Sequence, residues 1–185
     1  MTVTERTVVG VGDGGTPARG RWSVTRPWLS LASRLGLAAV WLVAGGSKIS
    51  DLGASGRAVN AYQIFPYDVA MVIGAALPFV EIALGLILLL GLATRLAAGV
   101  SAALLVVFVA GIVSAWARGL SIDCGCFGGG GDLAAGQDPR YGTEILRDLG
   151  FLVLAGFLLL WPRTPYSLDA AIGIGPDDEE PAQEE

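Results

Sequence analysis

Long apolar blocks without charge divide this chain and limit what it can fold into. Four of them approach the ~20 residues that cross a bilayer as a helix, and they run over about 28–46, 69–92, 96–116 and 145–161. Trp28, Trp116 and Trp161 lie at block ends, where an aromatic belt would place them. Only 16% of the residues are charged and 53% are hydrophobic, which is unusual for a soluble domain of this size. The pattern predicts an all-α, integral membrane four-helix bundle.

The fourth block is short for a membrane span. Its uncharged part, residues 149–161, would be only ~20 Å long as a helix, against a hydrocarbon core of ~30 Å. The helix should therefore include Arg147 and Asp148 at the membrane edge. The loop that carries the only two cysteines emerges at the same edge.

Three regions follow from this pattern. Residues 1–27 are polar and glycine-rich, and we predict a disordered cytoplasmic arm. Gly10–Gly15 fits a GxGxxG dinucleotide fingerprint, but no βαβ unit surrounds it. Residues 28–162 form the predicted membrane domain, and residues 163–185 form an acidic, disordered tail. The tail supplies most of the net charge of −5, and without a basic patch we predict no nucleic-acid partner.

The positive charges orient the predicted bundle. An even number of spans places both termini on one side, and Arg19, Arg21 and Arg26 precede the first block. Because the first helix usually dominates orientation, we predict cytoplasmic termini and a cysteine loop on the outer face. A disulfide would also persist better in an oxidising compartment.

The cysteine pair is the main candidate for chemistry. Cys124 and Cys126 are separated by one glycine, and a disulfide closing so small a ring is strained and prone to exchange. The functional interpretation is a reversible dithiol–disulfide pair, with the glycines of 128–131 giving the loop mobility to meet a partner. A fixed structural disulfide is the alternative. A closed zinc site needs four ligands, and the chain has no histidine and no further cysteine, so we predict no metal.

Charged residues near the predicted membrane edge could assist the thiols. Arg147 could stabilise a cysteine thiolate, and Asp148 could move a proton or hold the arginine. The alternative is plain snorkelling together with a charge at the helix N-terminus.

Glu81 is a third candidate, because a carboxylate inside a membrane helix is expensive and is a functional hypothesis by default. It could be protonated, pair with Arg34 of the first helix, or relay a proton. A buried packing contact is the alternative. On the outer side, an aromatic loop over residues 62–67 could cover the cysteine loop or anchor the chain at the interface.

Several stretches resemble known families. Residues 35–37 with 43–48, then 61–66 and 77–85, are similar to the DoxX-like and MauE families of four-helix membrane proteins. The run Asp123–Gly128 and the later Arg147–Asp148 resemble the MauE branch in particular. The likeness covers about residues 28–162, with the elements in the same order.

This resemblance implies a bacterial inner-membrane protein that acts in thiol–disulfide traffic, as MauE proteins are implicated in maturing the disulfide-rich small subunit of methylamine dehydrogenase. It implies a thioredoxin-like partner outside the membrane. It does not imply methylamine metabolism here. Related four-helix enzymes that reduce quinones carry two cysteine pairs, whereas this chain has one.

We therefore predict a membrane thiol–disulfide exchange protein, with Cys124, Cys126, Arg147, Asp148 and Glu81 as its site. Electrons would pass between the partner and a lipid quinone or a second redox protein. A non-catalytic scaffold or maturation factor of a membrane complex, with a structural disulfide, is the main alternative. A carrier for a small apolar molecule within the bundle is a third.

Overall fold

The computed structural model describes residues 21–133, 137–162 and 164–169. The elements follow the chain as α1 (Arg21–Lys48), α2 (Leu52–Ala61), α3 (Tyr67–Leu90), α4 (Thr94–Ala117), β1 (Ile122–Asp123), β2 (Gly131–Asp132) and α5 (Tyr141–Leu160). The predicted arm, with its GxGxxG match, lies outside the described residues up to position 20. Helix α1 begins seven residues before the predicted start of the first block.

The four long helices coincide with the four apolar blocks. Three of them, α1, α3 and α4, are long and apolar enough to cross a membrane, judged by length and composition. Helix α5 begins at Tyr141 rather than at about 145, and its 20 residues reach about 30 Å. Its extra first turn makes up the length that the uncharged part of the block lacks.

The long helices pack as a closed ring, in which α1 contacts α3 and α5, and α4 contacts the same two helices. Their shared core is apolar and includes Leu37, Trp41, Leu88, Leu105 and Leu158. The one polar atom of the Trp41 ring is satisfied, because Nε1 donates to the Ser101 hydroxyl at 2.9 Å. Packing of this kind, without a hydrophobic drive in lipid, depends on close contact.

Glycines permit that contact at two helix pairs. A Cβ at Gly45 of α1 would lie 2.7 Å from the Pro78 carbonyl of α3, and one at Gly74 would lie 2.4 Å from the Ser55 carbonyl of α2. Only a residue without a side chain lets the backbones approach this far. The first contact brings the end of α1 against the middle of α3.

Helix α2 was not predicted. Asp51 caps it by accepting a hydrogen bond from the Ala54 N–H at 2.8 Å, but its buried face consists of the small residues Ser55, Gly56, Ala58 and Ala61. Small residues give little hydrophobic periodicity, so the sequence carried a weak signal. The helix packs on α3 beyond the point where α1 ends.

The opposite end of the bundle is closed by residues 164–169, which were predicted as part of a disordered tail. Asp169 accepts hydrogen bonds from the Ala93 and Thr94 N–H groups at 2.7 and 2.9 Å and so caps α4. Arg34 is buried and donates to the Thr164 hydroxyl at 2.7 Å. The suggested pairing of Arg34 with Glu81 is therefore wrong, because Arg34 lies near the far end of α3.

Candidate functional site

The cysteine loop is anchored at its base by a short hairpin and a tyrosine. Strands β1 and β2 pair antiparallel, with Ile122 opposite Asp132. Tyr141, the first residue of α5, donates its hydroxyl hydrogen to the Leu120 carbonyl and accepts the Ile122 N–H at 3.1 Å. The fold therefore fixes the loop between α4 and α5 at both of its ends.

From this base the loop turns into the end of the bundle. Cys126 borders a small cavity together with Trp41, Glu81 and Leu105, all of which belong to the helix interior. Gly125 and Gly130 have positive φ angles of 69° and 79°, and a Cβ on either would press against Ala58. These two glycines therefore serve a tight, packed turn.

Both thiols are free and half-buried, and they lie next to each other. The Cys126 N–H donates to the Cys124 sulfur at 3.5 Å. The hydrogen bond from the Cys126 side chain lowers the pKa of Cys124, which desolvation opposes. The same hydrogen bond, together with deeper burial, raises the pKa of Cys126. Of the two thiols, Cys124 is therefore the more acidic.

Arg147 lies beside the Cys124 sulfur. Its Nη2 is 3.8 Å from the Cys124 sulfur, and its guanidinium carbon lies 4.9 Å from the centre of the Phe127 ring. Two of its nitrogens contact Asp148 Oδ1 at 2.9 Å. Asp148 is buried, so the carboxylate and the ring hold the guanidinium against the sulfur. Arg147 and Asp148, which were predicted to assist the thiols, thus both lie next to the cysteine pair.

Polar groups surround Cys124 on its other sides. The Tyr62 hydroxyl donates to the Cys124 carbonyl at 3.2 Å, and burial raises the pKa of this tyrosine, so it stays a donor. Asp123, Cys124 and Glu144 offer ligand atoms within 4.8 Å of one another. Three ligands are fewer than a closed zinc site requires, and the Arg147 guanidinium already lies beside the sulfur.

Glu81 is paired with the only lysine of the chain. Lys48 Nζ lies 2.6 Å from Glu81 Oε1, and both side chains are almost completely buried. Within the described residues, Glu81 Oε2 and Asp148 Oδ2 have no hydrogen-bond partner. Both residues border the small cavity that Cys126 also borders. Glu81 is distant from the cysteines in sequence, but the fold places it next to the cavity that Cys126 borders.

A second, larger cavity borders both cysteines. Its volume is about 200 Å³, and its wall combines α2, α3, α4 and the cysteine loop. Lys48, Cys124 and Cys126 face it, and most of the remaining wall is apolar. Cys126 therefore borders both the small cavity with its two carboxylates and the larger, mainly apolar cavity, and Cys124 borders the larger one.

Sequence reasoning missed two participants. Lys48 is the last residue of α1, and only the close approach at Gly45 places it beside Glu81; its status as the only lysine was the available signal. Glu144 lies one turn before Asp148 on α5 and contributes to the Cys124 surroundings. Its spacing of four from Asp148 could have placed both on one helix face.

Residues 26–161 match the family model described as methylamine utilisation protein MauE. The match covers well over half of the chain and extends from α1 to the residue after α5. This chain belongs to the MauE family. No curated protein and no solved structure matches it.

As a MauE family member with three helices able to cross a membrane, it is a multi-pass membrane protein in contact with lipid. The predicted family and the predicted helical membrane fold are both confirmed. Membership also associates the chain with methylamine-utilisation proteins, as the family description states.

Proposed function

We propose that this MauE family member is a membrane thiol–disulfide exchange protein that serves the maturation of disulfide-bonded proteins. The observation that carries the proposal is a guanidinium placed against one of two adjacent thiols, with Arg147 Nη2 3.8 Å from the Cys124 sulfur. The pKa of Cys124 is lowered and that of Cys126 is raised, and Arg147 lies against the more acidic sulfur. A structural cysteine buried in apolar surroundings has no such environment.

The chemistry begins at Cys124. Its thiolate attacks a disulfide of a thioredoxin-like partner, forms a mixed disulfide and releases one partner thiolate. Cys126 then loses its proton and attacks the Cys124 sulfur, which releases the second partner thiolate and leaves a Cys124–Cys126 disulfide. In this direction two electrons pass to the partner. In the reverse direction, which forms disulfides and so serves maturation, the Cys124–Cys126 disulfide takes two electrons from the partner.

Resolution requires a group that accepts the Cys126 proton. Asp148 and Glu81 border the small cavity that Cys126 also borders. Each has one carboxylate oxygen without a hydrogen-bond partner in the described part of the chain. We assign the proton transfer to Asp148 or Glu81 and the stabilisation of the Cys124 thiolate to Arg147. Each carboxylate is held in place by a basic side chain, Glu81 by Lys48 and Asp148 by Arg147.

A scaffold subunit of a membrane complex is the second candidate. It is favoured by the packing of Gly125 and Gly130 against Ala58, which would suit a loop whose role is shape. In that case the thiols would serve the loop structure and would not exchange with another protein.

Trapping of the mixed disulfide distinguishes these candidates. Cys124→Ser and Cys126→Ser would each be expressed with a tag in the native host, acid-quenched, alkylated and separated without reductant. We expect Cys126→Ser to give an adduct that reductant dissolves, because the acidic Cys124 remains and its resolving thiol is gone. We expect Cys124→Ser to give little, because the burial of Cys126, which also raises the pKa of its thiol, remains in this variant.

The double variant with both serines is the control and should give no adduct. An adduct in Cys124→Ser alone would reverse the two roles. If neither single variant formed an adduct at normal protein level, the exchange proposal would be wrong and the scaffold candidate would stand.

A further inference from the structure

The larger cavity has an entrance toward the lipid. Ile73 of α3 and Val107 of α4 are wall residues, and they are 38% and 63% exposed. Ile73 lies about 9 Å along its helix from Tyr67, and Val107 lies about 15 Å from Ala117, at 1.5 Å per residue. Both are therefore well inside segments long and apolar enough to span the membrane. A molecule dissolved in the bilayer could enter sideways.

The size of the cavity suits one ring. Its ~200 Å³ lies below the ~300–1,000 Å³ typical of pockets that enclose a drug-sized ligand. A compact head group would fill it, and an apolar tail would remain in the lipid beyond Val107. Leu77, Leu104 and Phe108 supply apolar walls for such a ring.

The polar groups of the wall restrict the occupant further. Lys48 is the one cation among the described residues that line the cavity, and Glu81 takes one of the three N–H donors of its ammonium. The remaining donors suit a carbonyl oxygen. Both cysteines face the same space, so the occupant would contact a group that can give up electrons.

From these four properties (lipid entrance, ring-sized volume, one ammonium and two thiols) we infer that the cavity binds a lipid-soluble quinone. The inference rests on the proposed exchange function, taken in the direction in which the Cys124–Cys126 disulfide oxidises the partner, and names the acceptor that then takes the electrons from the reduced pair. The thiols of Cys124 and Cys126 lose two electrons and two protons and form the disulfide. The quinone takes up both electrons and both protons and leaves as the quinol.

Binding is tested apart from turnover. The protein with its disulfide formed would be placed in nanodiscs, and its thermal unfolding midpoint measured with decylubiquinone or with dodecanol, which has a tail but no carbonyl. We expect the quinone to raise the midpoint and dodecanol to leave it unchanged. An equal rise with both would show an unspecific apolar cavity and overturn the inference.

Two adjacent valines provide matched variants. Val107 lines the cavity, whereas Val106 does not, and both are exposed, so tryptophan at either position should leave the core intact. We expect Val107→Trp to weaken the binding of decylubiquinone at least about tenfold, equivalent to ~1.4 kcal/mol, and Val106→Trp to bind like the wild type. Equal affinities in the two variants would place the quinone elsewhere and overturn the site.

Electron transfer is measured on the reduced protein without oxygen. We expect decylubiquinone to convert the two free thiols to a disulfide, counted by maleimide mass shift. If oxidised glutathione formed the disulfide and decylubiquinone did not, the quinone inference would fail while the exchange function stood. If neither oxidant formed it, both would fail.

Discussion

At the scale of single residues, the proposed site consists of two similar thiols in different surroundings. The sequence alone identified the pair and Arg147 as its neighbour. The sequence did not indicate which thiol is the more acidic. That depends on which sulfur the Arg147 guanidinium contacts, more than twenty residues along the chain, and on how deeply each sulfur is buried. In the structure, Arg147 contacts the Cys124 sulfur, and Cys126 borders the small cavity.

The acidity of Cys124 predicts a pH profile. A thiol whose pKa is lowered is a thiolate over a wider range below the usual thiol pKa, so its alkylation should remain fast at lower pH. The main cause is the hydrogen bond from Cys126. We therefore expect Cys126→Ala to move the alkylation profile of Cys124 to higher pH, measured by iodoacetamide rate in detergent, with a several-fold slower rate at neutral pH.

Cys126→Ser is the matched control, because its hydroxyl can still donate to the sulfur and the profile should move less. Arg147→Gln removes a smaller contribution and should move the profile in the same direction. Coincident profiles in the wild type and Cys126→Ala would contradict the assignment of the thiolate.

At the scale of helices, the sequence predicted those parts of the bundle that are long, uninterrupted apolar segments. The four long helices appear within a few residues of the predicted blocks, apart from the early starts of α1 and α5. Helix α2 could not be predicted, since its small buried residues gain their stability only from contact with α3. The ion pair of Lys48 with Glu81 has the same origin, because it needs the tight crossing of α1 and α3 at Gly45.

The crossing of α2 and α3 makes Gly74 sensitive to any side chain. A Cβ there would lie within 2.7 Å of three backbone atoms of α2, which cannot move aside without shifting the helix. We expect Gly74→Val to destabilise the protein by about 3 kcal/mol, at the upper end for overpacking, as measured by thermal unfolding in detergent. Gly156→Val, where nothing lies within 4 Å, should unfold like the wild type, and equal losses would contradict the packing.

Removing one partner of the buried ion pair between α1 and α3 should destabilise the protein more than removing both partners. Glu81→Ala would leave the Lys48 ammonium buried and unpaired, and the expected cost is ~3–5 kcal/mol. Replacing both residues, as in Lys48→Met with Glu81→Leu, should restore most of the stability. Unfolding midpoints of the three proteins check this, and a double variant as unstable as the single one would show that the charges act through other groups.

At the scale of the whole molecule, the proposed function requires the thiol site and the chain termini to lie on defined sides of the membrane. The cysteine loop joins α4 to α5, whereas residues 164–169 close the opposite end of the bundle around Arg34. Two ends so different in their polar groups suit different compartments. Three helices meet the length and composition of a span, so the side of the C-terminus depends on whether α5 crosses as well.

Impermeant labelling decides that question. With Cys124 and Cys126 both changed to serine, single cysteines would be introduced at the exposed Ser121 and at Ala182, and intact cells treated with a membrane-impermeant maleimide. Because α5 packs against α1 and α4 along the ring and is long enough to cross, we expect label at position 121 in intact cells and at 182 only after permeabilisation. Label at both positions in intact cells would show that α5 does not cross the membrane. Label at position 182 alone would reverse the predicted orientation. The thiol site would then face the reducing cytoplasm, where a stable disulfide would not persist.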